Sequence, residues 1–516
     1  MRNFSDLIKQ PLSISLILYL FLAVVLIPFY KYQINPDGIS YISIAQKYIA
    51  LDIKNAVTGY WGPLISWLLI PFILLGLDPM LSFKILCTLI GVVVLVQSNS
   101  LIERFIEGRA LKYVLLLVLA IVTIDYALFL LTPDILFLSI GLGLVNLLTQ
   151  EKYNYRSAIY CGILGAFLYF TKGYGLPFFV IIFLAVNLLF YFRTNDKTIK
   201  KNLLKSYGLG MLVFFFISFI WVALLSNKYG GVTYATNTKF VNALMAPNSL
   251  GHPQEYKGLL APPNETAISV WEDISFQEVP SWNKFGSIKS IKYQLAGMVK
   301  TIYFCYKLLY KFSYLEFVIL IISILYLMEK GKKVVYEEFL VFLMFIFLLI
   351  SGYVFVLYIE DRYIWLCNIL LMVMGAKMME ALLRKISISK RTHLALIFIF
   401  GLSFLSAPRK ALLYGINIDK DTYVLSEKLK EYNINGNIAS SSDWNRSMYL
   451  CYYNNWRYFG VSASQKNDVE KDLLEQKINY LIVWNTDRDV YKYFDKYEDI
   501  TQHKLDNELN IYKLIK

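Results

Sequence analysis

The sequence predicts a polytopic α-helical membrane protein with a small C-terminal α/β domain. Of its 516 residues, 57% are hydrophobic and only 17% are charged, whereas about a quarter of the residues in a soluble globular protein are charged. The formal net charge of +13 is divided among short segments between apolar runs, which is typical of membrane topology and not of nucleic-acid binding. After residue 407 these runs stop, and short strand-like and helix-like segments alternate.

Apolar runs predict about eleven transmembrane helices, since a helix needs about 20 residues to cross the hydrocarbon core. The predicted spans are 11–30, 80–101, 112–131, 135–150, 157–172, 175–192, 204–225, 313–328, 337–358, 363–380 and 393–407. Of these, 157–172 is short, and residues 290–312 are ambiguous between loop and span. Arg2 and Lys9 precede the first of them, so the positive-inside rule places the N-terminus in the cytoplasm. This first run is too long for the core of a signal peptide, and we expect it to be retained.

One apolar segment, residues 62–77, is predicted not to cross the membrane. It is short and is bounded by Pro63 and by Asp78-Pro79, which favours a juxtamembrane or re-entrant helix. With this choice every short cytoplasmic loop is basic, as the positive-inside rule requires. Those loops contain Arg104, Arg109 and Lys112, then Lys152 and Arg156, then Arg193, Lys197, Lys200, Lys201 and Lys205, then Lys330, Lys332 and Lys333, and finally Arg384, Lys385, Lys390 and Arg391.

The same topology assigns a large part of the chain to the outer face of a plasma (inner) membrane. A transmembrane domain, 1–407, carries outer loops at 31–79 and 227–312, and an extracytoplasmic α/β domain occupies 408–516. The pattern within that domain predicts helices at 421–431, 445–453 and 467–476 and strands at 437–441, 456–460, 479–484 and 509–515. It contains no Gly-rich phosphate loop, so a nucleotide-binding role has no support.

Two carboxylates on the predicted outer face are candidate catalytic groups. Asp37 follows the first span, after Asn35-Pro36, and Asp134 opens a later span directly after Pro133. A carboxylate just above the membrane can take a proton from an incoming hydroxyl, while a second carboxylate positions the acceptor or binds a cation. Each Asp is also suited to cap the helix that follows it, and this structural alternative stays open.

Basic residues at the outer ends of spans oppose the positive-inside bias and suggest an anionic ligand. Lys172 lies between two short spans, Arg362 follows Glu360-Asp361, and Lys84 is near the outer end of span 80–101. A phosphate at the outer leaflet would explain Lys172 and Arg362, because Arg can bind phosphate in bidentate fashion. Snorkelling to headgroups, or an internal pair of Arg362 with its acidic neighbours, is the structural alternative, which we favour for Lys84.

Aromatic residues are abundant, with 40 Tyr and 35 Phe, and most of those at span ends are expected in the interfacial belt. Trp61, Trp271 and Trp282 could instead stack on a sugar ring. The five Cys and three His are scattered, without the CxxC or CxH spacing of a metal site. The sequence therefore predicts neither a metal centre nor a disulfide framework.

The order of these features resembles the GT-C class of glycosyltransferases, in particular the bacterial branch similar to protein O-mannosyltransferases and lipid A aminoarabinose transferases. The resemblance covers roughly residues 1–380. It rests on Pro36-Asp37-Gly38 with Tyr41, Gly62-Pro63-Leu64, Thr132-Pro133-Asp134, Thr171-Lys172-Gly173-Tyr174 and Asp361-Arg362-Tyr363. Family members with paired acidic residues in the first loop are not matched, because Gly38 follows Asp37. The need for a divalent cation is therefore left open, and no other cofactor is implied.

The resemblance implies an enzyme that moves a sugar from a polyprenyl-phosphate donor in the membrane to a glycan, lipid or protein acceptor on the outer face. It implies Asp37 as the catalytic base and Asp134 as the second-loop carboxylate, and a single displacement of this kind inverts the anomeric centre. Contacts with the donor phosphate are implied for Lys172, Arg362 and Tyr363. Further candidate substrate contacts are Tyr41, Trp61, Tyr174, Glu360, Asp361 and Lys84.

Three other functions compete with this interpretation. An envelope polysaccharide polymerase or ligase would also use lipid-linked sugars, but such enzymes usually depend on outer-loop Arg and His and not on an early Asp. A lipid-linked sugar transporter or flippase would need polar groups at mid-membrane, and the predicted spans are nearly free of them. A scaffold whose C-terminal domain binds a partner is neither favoured nor opposed by the sequence.

Overall fold

The computed structural model describes residues 10–515 except for eight short segments. Those segments are 151–152, 248, 250, 252–257, 277–281, 329–336, 463–468 and 502–507. Four of the basic residues assigned to cytoplasmic loops, Lys152, Lys330, Lys332 and Lys333, therefore lie outside the described residues.

Helices form most of the described chain. Up to residue 402 they are α1 (Pro11–Tyr30), α2 (Pro36–Ile49), α3 (Ile53–Ala56), α4 (Leu64–Leu74), α5 (Pro79–Phe105), α6 (Arg109–Leu128), α7 (Asp134–Leu148), α8 (Tyr155–Thr171), α9 (Gly175–Arg193), α10 (Lys197–Tyr229), α11 (Asn237–Leu244), α12 (Ile288–Phe312), α13 (Tyr314–Met328), α14 (Glu337–Val356), α15 (Trp365–Lys385) and α16 (Lys390–Leu402). The C-terminal region adds α17 (Ser406–Gly415), α18 (Lys420–Leu429), α19 (Trp444–Asn454) and α20 (Val469–Glu475).

The eleven predicted membrane spans all fall on helices, namely α1, α5 to α10 and α13 to α16. Within the described residues, seven helices are long and apolar enough to cross a membrane, and nine are if two bent helix pairs each count as one span. The predicted multi-span helical architecture is thus confirmed, although the number of spans is not fixed by these lengths. The predicted non-crossing segment contains α4, whose 11 residues rise only about 16 Å, roughly half the thickness of the hydrocarbon core.

Close backbone contacts hold α8 at two points, one within the helix and one at its end, where Lys172 follows. Gly162 of α8 approaches α10 so closely that a side chain there would collide with the carbonyl of Gly210. A side chain on Gly62 would likewise collide with the carbonyl of Thr171. Only glycine permits such an approach, and the first connecting loop therefore crosses directly over the residue that precedes Lys172.

A six-stranded mixed sheet in the order β1-β3-β2-β4-β6-β5 has five of its strands in the C-terminal region. Its strands are β1 (Gly258–Leu259), β2 (Asn437–Ser440), β3 (Arg457–Val461), β4 (Tyr480–Trp484), β5 (Glu498–Asp499) and β6 (Leu509–Lys513). The pairs β2–β3 and β2–β4 are parallel, while β1–β3, β4–β6 and β5–β6 are antiparallel. Helices α19 and α20 make the two crossovers that parallel strands require.

The long loop at 227–312 differs from the sequence prediction in two respects. It contributes β1, which pairs with β3 of the C-terminal sheet through Gly258 opposite Val461 and Leu259 opposite Gly460. It also ends in α12, a 25-residue helix that the sequence left ambiguous because lysines dilute its hydropathy. The sheet is consequently built from both sides of the predicted boundary at residue 408.

Candidate active site

A cavity of about 760 Å³ brings together nine of the eleven residues that the resemblance implies as catalytic, phosphate-binding or substrate-contacting, and Trp271 lines it too. The nine are Asp37, Tyr41, Trp61, Asp134, Lys172, Tyr174, Glu360, Arg362 and Tyr363. They come from segments that are far apart in the chain, as the predicted shared face of the membrane would require. The rest of the lining is largely aromatic and apolar and includes Phe178, Leu348 and Val356.

Asp37 occupies the first turn of α2, where Pro36 begins the helix. Its Oδ1 accepts a hydrogen bond from Nε1 of Trp271 at 3.1 Å, and its Oδ2 accepts one from Nη1 of Arg362 at 2.9 Å. The preceding Asn35 accepts a hydrogen bond from the backbone N–H of Leu131 at 2.9 Å. This last contact joins the loop of Asp37 to the turn that precedes Asp134.

Asp134 is a buried carboxylate with two cations beside it. It lies in the first turn of α7, and its side chain is only 3% exposed. Oδ1 is 2.5 Å from Nζ of Lys172, and Oδ2 is 3.7 Å from Nη1 of Arg362. A buried carboxylate is stable only when its charge is compensated, so Lys172 and Arg362 keep Asp134 ionised and at the same time present positive charge to the cavity.

Arg362 connects the two candidate catalytic carboxylates. Its Nη1 reaches both Asp37 and Asp134, while its Nε donates a hydrogen bond to Oε2 of Glu360 at 2.7 Å. The internal pair with Glu360 considered from the sequence therefore exists alongside the contact with Asp37. Tyr363 packs beneath Lys172, whose Nζ lies 4.3 Å from the centre of its ring.

Tyrosines beside Asp37 can donate hydrogen bonds but cannot act as bases near neutral pH. Burial raises the pKa of Tyr60, and the nearby carboxylates of Asp37 and Asp273 raise it further. Burial, followed by the charges of Asp37 and Asp134, likewise raises the pKa of Tyr41 well above its ordinary value. Asp37 is thus the group beside these phenols that is suited to accept a proton.

Two residues named from the sequence as substrate contacts do not line this cavity. Lys84 is fully buried and donates hydrogen bonds to the carbonyl of Leu128 at 2.7 Å and to Oε1 of Gln33 at 3.2 Å. Asp361 is about half exposed and lies 3.8 Å from Nζ of Lys311. Lys84 is therefore an internal structural residue. A structural role was the favoured alternative for it, but the side chain is buried in the protein and does not reach the lipid headgroups.

A buried ion pair that the sequence did not indicate holds Trp271 against Asp37. Lys47 and Glu272 are 3% and 4% exposed, their charged atoms are 2.5 Å apart, and both bond to the hydroxyl of Ser43. Lys47 and Ser43 belong to α2, the helix that carries Asp37. The pair consequently fixes the segment around Trp271 to the same helix as the carboxylate that Trp271 contacts.

Lys47→Met is expected to destabilise the protein by about 3 kcal/mol, because it leaves Glu272 as an uncompensated buried charge. Lys47→Met combined with Glu272→Leu should recover most of this loss, since both charges are then removed. Thermal unfolding of the purified proteins in detergent measures both effects. Lys430→Met is a matched control, because its partner Glu427 and Lys430 itself are about half exposed. A double variant no more stable than Lys47→Met would contradict the assignment.

A guanidinium group lies between the carboxylates of Asp37 and Asp134. Within the described part of the chain, no three His, Cys, Asp or Glu side chains are grouped as metal ligands. The positive charge between the two carboxylates belongs to Arg362, at 2.9 and 3.7 Å. A metal ion at this position would have to displace the guanidinium group.

Solved structures share this architecture. No protein-family profile and no curated protein sequence matches the chain. ArnT from Cupriavidus metallidurans in the apo state superposes with a TM-score of 0.55 at 12% identity, over 97% of this chain and 98% of that chain. The chain has the GT-C fold. The fold expected from the order of the sequence motifs is therefore confirmed.

Two further structures show similarity to the chain. ArnT bound to undecaprenyl phosphate superposes with a TM-score of 0.53 at 11% identity, with 97% and 98% of the two chains covered. Archaeal oligosaccharyltransferase AglB from Archaeoglobus fulgidus, in complex with an inhibitory peptide and a dolichol-phosphate, is a weaker match, with a TM-score of 0.45 at 12% identity over 93% of this chain and 70% of that chain.

Proposed function

We propose that the protein transfers a sugar from a polyprenyl-phosphate donor to an acceptor on the outer face of the plasma (inner) membrane. The observation that carries this proposal is the convergence of Asp37, Asp134, Lys172 and Arg362 in one largely apolar cavity of a GT-C fold. The lipid carrier bound to ArnT, undecaprenyl phosphate, supports the same class of donor. The predicted topology, with its basic cytoplasmic loops, supports the sidedness.

In this proposal Asp37 is the general base. It takes the proton of the acceptor hydroxyl as that oxygen attacks the anomeric carbon, and the electrons of the breaking bond between that carbon and the phosphate oxygen go to the phosphate. The phosphate leaves as an anion, so the reaction needs positive charge more than a general acid. Arg362 and Lys172 supply that charge, and Arg362 can bind two phosphate oxygens at once.

We expect inversion of the anomeric centre, because only one carboxylate is assigned to act on the substrate. Retention by double displacement needs a second carboxylate free to attack the sugar, as retaining glycosidases illustrate. Asp134 is 3% exposed and is engaged by Lys172 and Arg362, and Glu360 is bonded to Nε of Arg362, so we assign neither as a second nucleophile and take Asp37 as the acting carboxylate. The anomeric configuration of the product, determined by NMR, tests this step, and a product with retained configuration would rule it out.

The most direct test of the function offers radiolabelled polyprenyl-phosphate sugars, one at a time, to the purified protein in detergent. Release of polyprenyl phosphate that depends on Asp37 is the expected result. A polysaccharide polymerase or ligase would retain its activity after Asp37→Ala. Full activity of that variant at normal expression would refute general-base catalysis by Asp37, and failure of every donor class to react would refute the function.

Trp271→Phe is expected to lower the rate of transfer about tenfold or more, since a hydrogen bond to an ionised group contributes about 1.5–3 kcal/mol. Phe retains the ring and its stacking on Trp444, whose centre lies 5.3 Å away with the planes 16° apart, but it cannot donate to Asp37. The reduction should appear in kcat and not in the KM of the donor. Trp282→Phe, outside the cavity lining, is the matched control, and equal effects of the two changes would contradict the assignment.

A further inference from the structure

Helix α12 has three distinct faces along its 25 residues. One face is buried against the protein and contains Gln294, Thr301, Cys305, Leu309 and Phe312. The next face is apolar yet exposed. It contains Ile288, Ile291, Leu295, Val299 and Ile302, which are 38–75% exposed and recur at the helical spacing of one stripe.

The third face carries a row of lysines, of which Lys311 lies 3.8 Å from the carboxylate of Asp361. Lys289, Lys300, Lys307 and Lys311 lie beside the apolar stripe, Lys292 lies at its edge, and all five side chains are exposed. The helix contains no Asp or Glu. A helix with an apolar stripe and a neighbouring row of lysines is typical of a segment that lies in the interface of a membrane, with its apolar face among the acyl chains.

The direction of α12 agrees with an interfacial position and not with a span. At Ser313 the chain turns by 119° into α13, so the two helices do not form one continuous rod. Five lysines distributed along the helix would each be costly at the centre of a bilayer. At the interface they reach the headgroups, where an anionic lipid surface attracts them.

We propose that α12 lies on the membrane surface beside the cavity and binds the phosphate groups of anionic phospholipids. Two hydrogen bonds join it to the rim of the cavity, because Tyr293 donates to the carbonyl of Met245 at 3.2 Å and Gln294 donates to the carbonyl of Phe355 at 2.8 Å. Both acceptors line the cavity. Lipids held by Lys289 and Lys292, which lie just before Tyr293 and Gln294 in sequence, are therefore beside the cavity, whichever reaction the site performs.

Lipid retention tests the proposal independently of sugar transfer. Protein purified in detergent is offered equal amounts of phosphatidylglycerol and phosphatidylcholine, and the retained lipids are quantified by mass spectrometry. Wild-type protein should enrich phosphatidylglycerol, and Lys289→Gln/Lys300→Gln/Lys307→Gln should lower this enrichment about fivefold or more, a change equivalent to about 1 kcal/mol in total. The matched control is Lys430→Gln/Lys492→Gln/Lys496→Gln in the C-terminal region, where the three side chains are 52%, 71% and 55% exposed, and it should retain the wild-type ratio. Equal enrichment in wild-type and α12-variant protein, or an equal loss in the control, would overturn the proposal.

A second measurement locates the helix even if the triple variant does not fold. Single spin labels are placed at Val299→Cys and Lys300→Cys in protein reconstituted in phosphatidylglycerol-containing bilayers, since the five native Cys are buried. The label at 299 should be more accessible to oxygen dissolved in the lipid, and the label at 300 to an aqueous nickel chelate. Aqueous accessibility at both positions would show that α12 leaves the membrane, and lipid accessibility at both would show that it spans it. Either result would overturn the proposal.

Discussion

Asp37→Asn is expected to reduce the rate of sugar transfer by about 1,000-fold, within the range that general-base catalysis contributes. The amide has the same shape as the carboxylate and can still accept the hydrogen bond that Trp271 donates at 3.1 Å. It cannot accept the proton of the incoming hydroxyl. We therefore expect kcat to fall while the KM of the donor stays close to that of the wild type, and steady-state kinetics with a labelled donor separates the two parameters.

The matched control for this prediction is Glu265→Gln, the same change of carboxylate to amide at a side chain in the long connecting loop that is 94% exposed. It should leave kcat and KM within about twofold of the wild type, because surface substitutions of this kind perturb little. A residual activity of Asp37→Asn within tenfold of wild type would remove Asp37 from the role of base.

Arg362→Gln is expected to lower kcat/KM by about 100- to 1,000-fold, because it removes the guanidinium that would stabilise the departing phosphate. The same change removes the cation shared by Asp37 and Asp134, at 2.9 and 3.7 Å, so stability should fall as well. Arg362→Lys keeps the charge but cannot make two parallel hydrogen bonds. It should retain intermediate activity with a raised KM for the donor.

Thermal unfolding of the same samples distinguishes lost catalysis from lost folding in these variants. Arg391→Gln, at an exposed residue of α16, is the control and should match the wild type in both assays. If Arg362→Lys and Arg362→Gln are equally active and close to wild type, Arg362 does not bind the donor phosphate. If Arg362→Lys is as impaired as Arg362→Gln but both remain folded, the bidentate geometry and not the charge is what the site requires.

The helical framework could be predicted from the sequence because lipid leaves few choices. A long apolar run in a bilayer must satisfy its backbone hydrogen bonds internally, so each of the eleven runs becomes a helix. Strand β1 could not be predicted, since its two residues become a strand only by pairing with Gly460 and Val461, about 200 positions later. Helix α12 was ambiguous for a related reason, because its lysines lower its hydropathy although its exposed stripe is apolar.

The candidate site could be predicted in its composition but not in its internal contacts. Sidedness and motif order brought Asp37, Asp134, Lys172 and Arg362 to one surface, and the structure places all four in one cavity. Sequence position alone cannot tell which side of a helix faces that cavity. Lys84 was therefore named as a candidate substrate contact, although its side chain is buried and bonds to the carbonyl of Leu128. The contact of Trp271 with Asp37 spans 234 positions and depends on tertiary packing.

The pairing of the long loop with the C-terminal sheet also bears on the order in which the protein is made. The segment that carries Trp271 is held by residues of β3, since the backbone N–H of Tyr458 donates a hydrogen bond to the carbonyl of Ile268 at 2.6 Å and the backbone N–H of Leu260 donates one to the carbonyl of Phe459 at 2.7 Å. Chains are synthesised and begin to fold from the N-terminus. Asp37 and the Lys47–Glu272 pair therefore leave the ribosome well before β3, and the segment that carries Trp271 gains its strand contacts only when β3 has been translated.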